Sequence, residues 1–166
     1  TATQSGVTQI AYNFSVPMIV TRVGGLPEIV ADDRVGFVCE PTAESIAEAL
    51  AAKERVRIVP YGDHAAFKLG LTGLQVSHLK YLTDGASRVI NLSSEKKIFF
   101  NHTSEVKIFD FCNDTMQMVA SAIRVLTEEC LDAEKKRIIH KHLRTVPEEE
   151  FMKDIEWFKQ FKVRGS

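Results

Sequence analysis

The sequence shows no excess of charge of either sign. Its 166 residues include 21 Lys and Arg against 22 Asp and Glu, which gives a formal net charge of −1. A nucleic-acid-binding domain normally carries a clustered basic excess, so the overall charge predicts no nucleic-acid partner. For the same reason, it predicts no anionic membrane surface as a partner.

Long apolar runs and targeting signals are also missing. No run approaches the roughly 20 apolar residues that are needed to span a bilayer. Thr1–Gln4 show neither the basic nor the apolar region of a secretory signal. The chain is therefore predicted to be cytoplasmic.

Cysteines are few. Cys39, Cys112 and Cys130 are an odd number without metal-ligand spacing, so no metal site is predicted and the thiols are expected to be reduced. Cys112 and Cys130 flank an apolar helical stretch, and we expect them to be buried as small hydrophobic residues. No motif in the sequence predicts a cofactor.

All four asparagines lie in Asn-x-Ser/Thr triplets, which begin at Asn13, Asn91, Asn101 and Asn113. Such triplets are N-glycosylation acceptors in secreted proteins. The alternative is turn and cap chemistry, because Asn, Ser and Thr side chains all bond nearby backbone groups. The missing secretory signal favours the second interpretation.

The first third of the chain alternates short strands and helices, which is typical of a parallel α/β sheet. The glycines, the Pro-initiated turn and the apolar pattern predict these elements in order: a helix over Ser5–Phe14, a strand over Met18–Val20, a helix over Pro27–Val30, a strand over Gly36–Cys39, and a helix capped by Thr42.

The pattern changes after Ala52. The elements predicted here are a strand over Arg55–Val59, a helix over Leu74–Leu82, and three meander strands over Arg88–Leu92, Lys97–Phe100 and Glu105–Phe109. A long helical pattern then runs from Asp114 to about Leu143 with a break near Leu131–Asp132, and Thr145–Glu148 form a capping-box start for a last helix.

The predicted fold class is therefore α/β, with a mixed sheet that combines parallel N-terminal strands, a short antiparallel meander and flanking helices. We expect one composite domain over residues 1–166, made of segments 1–52 and 55–163. Residues 164–166, Arg-Gly-Ser, are typical of a tail that precedes a histidine tag and are excluded from the fold prediction.

Residues 1–52 resemble part of a known enzyme fold. The stretches that carry the resemblance are SGVTQIAY from Ser5, VPMIVT from Val16, VGGLPEIV from Val23 and VGFV from Val35. In this order they are similar to the nucleotide-sugar-binding half of retaining glycosyltransferases of the GT-B fold. Residues 55–163 resemble no family in the same way.

The resemblance implies a nucleotide-sugar site in residues 1–52. A glycine that opens a helix offers backbone N–H groups and a partial positive charge to a diphosphate, and Gly24 and Gly25 permit close backbone approach. The residues that the resemblance assigns to binding are Gly6, Val7, Thr8, Gln9, Gly24, Gly25 and Glu28.

The family's catalytic groups are not matched. Its glutamate pair has no counterpart before Glu28, and its upstream basic pair and acceptor domain do not occur in this sequence. No catalytic residue is predicted. The leading interpretation is a truncated or recombined nucleotide-sugar-binding domain without turnover on its own, with a nucleoside diphosphate sugar as partner. The alternative is an engineered or chimeric α/β scaffold without evolved activity.

Polar pairs elsewhere have two interpretations each. Asp63 and His64 follow a predicted strand, where catalytic residues are common, but the absence of a nucleophile favours a loop pair with a surface histidine. His140 and His142 lie on different helix faces and cannot chelate a metal together. With Lys135, Lys136, Arg137 and Lys141, they complement the dipole at the helix C-terminus. The alternative is a contact with phosphate or nucleic acid.

The terminal helix has an apolar face made by Phe151, Ile155, Phe158 and Phe161. We expect this face to dock onto the sheet within a monomer. The alternative is a weak homodimer that forms through the same helix.

Overall fold

The computed structural model describes residues 10–11, 13–14, 17–22, 30, 36–73, 76–126 and 130–160. The chain divides into two compact units, one that ends at Arg57 and one that begins at Ile58. Helices accompany a two-stranded parallel sheet and a separate four-stranded mixed sheet. The predicted α/β class is confirmed.

The first unit contains a parallel strand pair. Strand β1 (Met18–Thr21) pairs with β2 (Gly36–Cys39), and both strands were predicted. The pair requires glycine at position 36, because a Cβ there would collide with the Met18 carbonyl oxygen and with a Val30 methyl group.

Helix α1 (Ala43–Glu54) follows β2. It begins where predicted, since the Thr42 hydroxyl accepts a hydrogen bond from the Ser45 N–H at 3.2 Å. Arg55 ends the helix in the left-handed conformation, with φ of 55°. The predicted strand from Arg55 therefore cannot begin there, and the next strand starts at Ile58.

The second unit is built on four strands in the order β3-β4-β6-β5. Their bounds are Ile58–Pro60 (β3), His78–Thr83 (β4), Arg88–Asn91 (β5) and Lys97–His102 (β6). Strands β4 and β6 are parallel, whereas β3 and β5 are antiparallel to their neighbours. The carboxyl ends of β4 and β6 consequently meet at one edge of the sheet.

In the part of this unit that the structure describes, four α-helices and one 3-10 helix accompany the sheet: α2 (Asp63–Lys68), the 3-10 helix (Val106–Phe109), α3 (Asp114–Ile123), α4 (Ala133–Leu143) and α5 (Glu148–Gln160). One core cluster joins α2, α3 and α4 through Ala65, Val119 and Ile139. A second joins α3 and the 3-10 helix to the sheet through Ile108, Val59 and Leu82.

Two element predictions in this unit are wrong. The predicted helix over Leu74–Leu82 contains β4 instead, in which buried Leu79 and Tyr81 alternate with half-buried Lys80. The predicted strand over Glu105–Phe109 is the 3-10 helix, because adjacent Ile108 and Phe109 are both buried and a strand would turn them to opposite faces.

The helix boundaries follow the predictions more closely. Asp132 caps α4, which confirms the predicted break, and Asn113 caps α3, which confirms cap chemistry for this asparagine. The capping box at Thr145 is not formed. Its hydroxyl donates to the His142 carbonyl at 2.6 Å and so closes α4 instead of opening α5.

Helix α5 is held by a buried carboxylate. Asp154 is fully buried, and its two oxygens accept hydrogen bonds from the backbone N–H groups of Cys112 and Asn113 at 2.8 and 2.9 Å. The Asn113 amide also donates to Glu150 at 2.7 Å. The terminal helix thus contacts the start of α3 within the chain. The predicted docking of its apolar face on the sheet stays a prediction, because Phe161 and the side chain of Phe158 lie outside the described part of the chain.

Candidate anion-binding site

The residues assigned to nucleotide-sugar binding lie outside the described part of the chain. This applies to Gly6, Val7, Thr8, Gln9, Gly24, Gly25 and Glu28. Their assignment stays a prediction. The predicted helix over Pro27–Val30 lies outside it too, apart from Val30.

Asp63 and His64 open helix α2, and the prediction of a surface histidine is wrong. His64 is buried, with its ring edge against Tyr81 at 4.9 Å between centroids. Its Nδ1 lies 3.0 Å from the Lys80 carbonyl oxygen. Because a carbonyl can only accept, Nδ1 carries the proton. Asp63 pairs with the Lys80 ammonium at 3.2 Å. These contacts fasten α2 to β4.

Helix α4 has an inner face that contributes to the core. Ile139 is buried, and Ile138 and Leu143 pack against the same cluster. His142 lies on this side and donates from Nε2 to the Leu69 carbonyl at 2.9 Å, whereas His140 is exposed. The prediction that the two histidines occupy different faces is confirmed.

The outer face of α4 is basic. The side chains that share it are Lys136, Arg137, His140, Lys141 and Arg144, all of them exposed. They line a groove of about 610 Å³. Among the described residues, none of these five side chains has a hydrogen-bond or ion-pair partner. We call this surface the basic face.

The helix dipole explains only part of this arrangement. Cations in the last turn are stabilised by the negative end of the helix, and the effect fades beyond that turn. Lys141 and Arg144 are placed to benefit. Lys136 and Arg137 lie nearer the N-terminus, where the dipole does not favour them.

Lys135 is not part of the basic face. Its ammonium bonds the Asp132 carboxylate at 3.0 Å and the Cys130 carbonyl at 2.8 Å. Hydrogen bonds from the backbone and side chain of Lys135 lower the pKa of Asp132 below its ordinary value. The first turn of α4 is therefore internally neutralised, and the unpaired charge begins with Lys136.

A second polar cavity lies at the carboxyl ends of β4 and β6. It has a volume of about 390 Å³ and is lined by Tyr61, Leu82, Asn101, His102, Thr103 and Arg124. His102 donates from Nδ1 to the Gly85 carbonyl at 2.9 Å, which leaves Nε2 as an acceptor in the neutral ring. Arg124 pairs with Glu105 at 2.7 Å.

Sequence reasoning missed this crevice. The predicted strand over Lys97–Phe100 ends before Asn101 and His102, whereas β6 continues to His102. The missing signal was the parallel pairing of β4 with β6, which brings the two ends together from distant parts of the chain.

The cysteines differ from expectation in their exposure. Cys39 is buried, and burial raises the pKa of its thiol. Cys112 and Cys130 are both exposed, so the prediction of burial is wrong for each. In the part of the chain that the structure describes, no three His, Cys, Asp or Glu side chains could together hold a metal ion.

Fold and surface together define an α/β protein with a basic helix face and a polar crevice at its strand ends. A family model matches residues 24–151, and the chain belongs to that family, the family of unknown function DUF6088. The match therefore includes residues from both predicted segments, 1–52 and 55–163. No curated protein matches the chain, and no solved structure does. None of the described helices is long and apolar enough to cross a membrane.

Proposed function

We propose that the basic face binds the phosphate backbone of nucleic acid. The observation that carries this proposal is a row of exposed cations on one side of α4, without partners among the described residues. On α5, by contrast, the exposed Lys159 lies beside the acidic Glu156.

The dimensions of the basic face suit a phosphate backbone. From Lys136 to Arg144 the chain advances eight residues, about 12 Å along a helix axis. Duplex DNA carries about seven phosphate charges over the same length. Lys and Arg donors on one helix face can therefore engage several phosphates at once.

The near-zero net charge led to the opposite expectation, that the chain has no nucleic-acid partner. That expectation stays a prediction. Long-range attraction to a polyanion depends on how charge is distributed over the surface, and a sum over the chain hides a segregated patch. Backbone contacts position a protein on nucleic acid without reading its sequence. We therefore expect binding that depends weakly on sequence and strongly on salt.

The test is binding of a fluorescent 20-base-pair duplex, followed by anisotropy between 25 and 200 mM salt. Four Lys and Arg contacts predict that log K falls with log salt at a slope of about −3.6. The paired substitution Lys136→Ala with Arg137→Ala should reduce the steepness by about 1.8.

The matched control is Lys153→Ala with Lys159→Ala on α5, which removes the same total charge from another helix. Circular dichroism verifies that both variants fold. Equal slopes for the two pairs would refute a role for the basic face. Binding of polyglutamate with none of DNA would indicate a protein partner and also refute the proposal.

A second candidate is nucleotide-sugar binding by residues 1–52, without turnover. The observation that favours it is the parallel pair of β1 and β2, which are the two strands that the glycosyltransferase resemblance implies. Titration of UDP, GDP and their sugars should shift the amide signals of Gly6, Val7, Thr8 and Gly25. Unshifted signals at millimolar ligand would contradict this candidate and favour the chimeric alternative.

We also propose a cytoplasmic setting. The described cysteines form no disulfide, which fits a reducing compartment. Intact mass measured on the protein from its native source tests this proposal. Glycans on Asn91 or Asn101 would overturn it.

A further inference from the structure

A cleft of about 440 Å³ in the second unit combines an apolar floor with a charged rim. Its apolar residues are Ala66, Leu71, Val76 and Leu126, and its charged residues are Asp63, Lys80 and Lys135. Small-molecule sites typically have volumes of about 300–1,000 Å³, a mostly apolar lining and a few converging polar groups. The cleft has each of these properties.

Both signs of charge lie close together on the rim. Asp63 and Lys80 are 3.2 Å apart, and their side chains keep 71% and 39% of their surface exposed. Both groups therefore remain available to a ligand. The cleft is also lined by His78, whose buried Nδ1 has no hydrogen-bond partner among the described residues. A buried polar atom of this kind normally has a partner.

The rim selects the charge of the ligand. A simple carboxylate would bind beside Lys80 but would be repelled by Asp63, and a simple amine would meet two ammonium groups. A zwitterion whose ammonium and carboxylate are adjacent can bind both side chains, with its ammonium beside Asp63 and its carboxylate beside Lys80. The floor of Ala66 and Leu71 then accepts an apolar side chain.

We infer that this cleft binds a free α-amino acid with an aliphatic side chain. This site is separate from the basic face, since none of its lining residues belongs to that face. Its test is consequently independent of nucleic-acid binding.

The experiment compares leucine with two truncated analogues, 4-methylpentanoate without the amine and 3-methylbutylamine without the carboxylate. Cys130 lines the cleft, so its alkylation by iodoacetamide reports occupancy through peptide mass spectrometry. Cys112 is also exposed but is not among the cleft residues, and it serves as an internal control.

Leucine should slow alkylation of Cys130 and leave Cys112 unchanged. Each analogue loses a charge-assisted hydrogen bond, so it should require about 10- to 100-fold higher concentration for the same protection. Glycine, which lacks the apolar side chain, should also protect more weakly than leucine.

Variants of the rim test the same assignment. Asp63→Asn and Lys80→Met should each weaken leucine protection by about tenfold or more, whereas Lys159→Met on α5 should have no effect. Amide signals of Ala66, Leu71 and His78 provide a second readout that does not depend on Cys130. Equal protection by leucine and both analogues would overturn the inference, and so would unchanged Cys130 alkylation together with unshifted amide signals.

Discussion

Asp154 connects the terminal helix to the rest of the second unit, and its removal should have a large effect on stability. The carboxylate is fully buried and accepts hydrogen bonds from two consecutive backbone N–H groups, those of Cys112 and Asn113. Both donors immediately precede α3, whose first turn the Asn113 side chain caps. One side chain on α5 thus fixes the entry of another helix.

The expected loss of stability follows from the number of hydrogen bonds that Asp154 accepts. Hydrogen bonds to charged groups contribute about 1.5–3 kcal/mol each, and a buried donor left without an acceptor costs about 1–3 kcal/mol. Asp154→Asn keeps one acceptor oxygen but places an NH₂ group against the second donor. We therefore expect a loss of about 2–4 kcal/mol in the free energy of unfolding.

Urea denaturation followed by circular dichroism measures this loss. With a dependence of about 2 kcal/mol per molar urea, the midpoint should fall by about 1–2 M. The control is Glu156→Gln on the same helix, because Glu156 forms an exposed pair with Lys159. Exposed pairs contribute about 0–1 kcal/mol, so this midpoint should barely move. Similar midpoints for Asp154→Asn and the parent protein would refute the anchoring role of the carboxylate.

Three further predictions follow from local geometry. Gly36→Ala should destabilise the first unit by about 1–3 kcal/mol, because the new Cβ collides with the Met18 carbonyl oxygen. Hydrogen exchange of the backbone amides of β1 and β2 would measure this loss of stability. Unchanged exchange would contradict the close approach of Gly36 to Met18. Partial desolvation, and then the Asp154 charge, raise the pKa of the Cys112 thiol above its ordinary value of 9.0. The rate of Cys112 alkylation should therefore rise only at higher pH, and Asp154→Asn should shift this pH profile to lower pH. A pH profile that does not move would contradict the electrostatic contribution of Asp154. Because α5 docks within the chain, light scattering should detect a monomer, whereas a dimer that dissociates on Phe158→Asp would indicate the alternative of association through the terminal helix.

Elements set by neighbouring residues could be predicted from the sequence. Thr42, Asn113 and Asp132 each cap a helix through a side-chain oxygen that accepts a nearby N–H. The strand at Gly36–Cys39 and the Arg88–Asn91 hairpin strand were likewise predicted from apolar runs between turn residues. In each case the deciding interaction spans only a few positions.

Elements set by distant pairing could not be predicted in this way. The apolar spacing over Leu74–Leu82 suits a helix, and only pairing with β3 and β6 turns His78–Thr83 into a central strand. The burial of His64 has the same origin, since its partners Lys80 and Tyr81 lie on β4. Because the residues of β4 were predicted to form a helix, the burial of His64 against this strand could not be predicted either.

The candidate sites show the same division. The cations of α4 are visible in the sequence, but their availability depends on which neighbours fold against them. Lys135 is neutralised by Asp132 one turn earlier, and His142 turns inward to Leu69, whereas Lys136 and Lys141 face outward without partners among the described residues. The net charge counts the three lysines alike and takes the histidine as neutral. Only the packing of α4 separates the two groups, so it is local structure, rather than composition, that makes a polyanion a reasonable partner for a chain with net charge near zero.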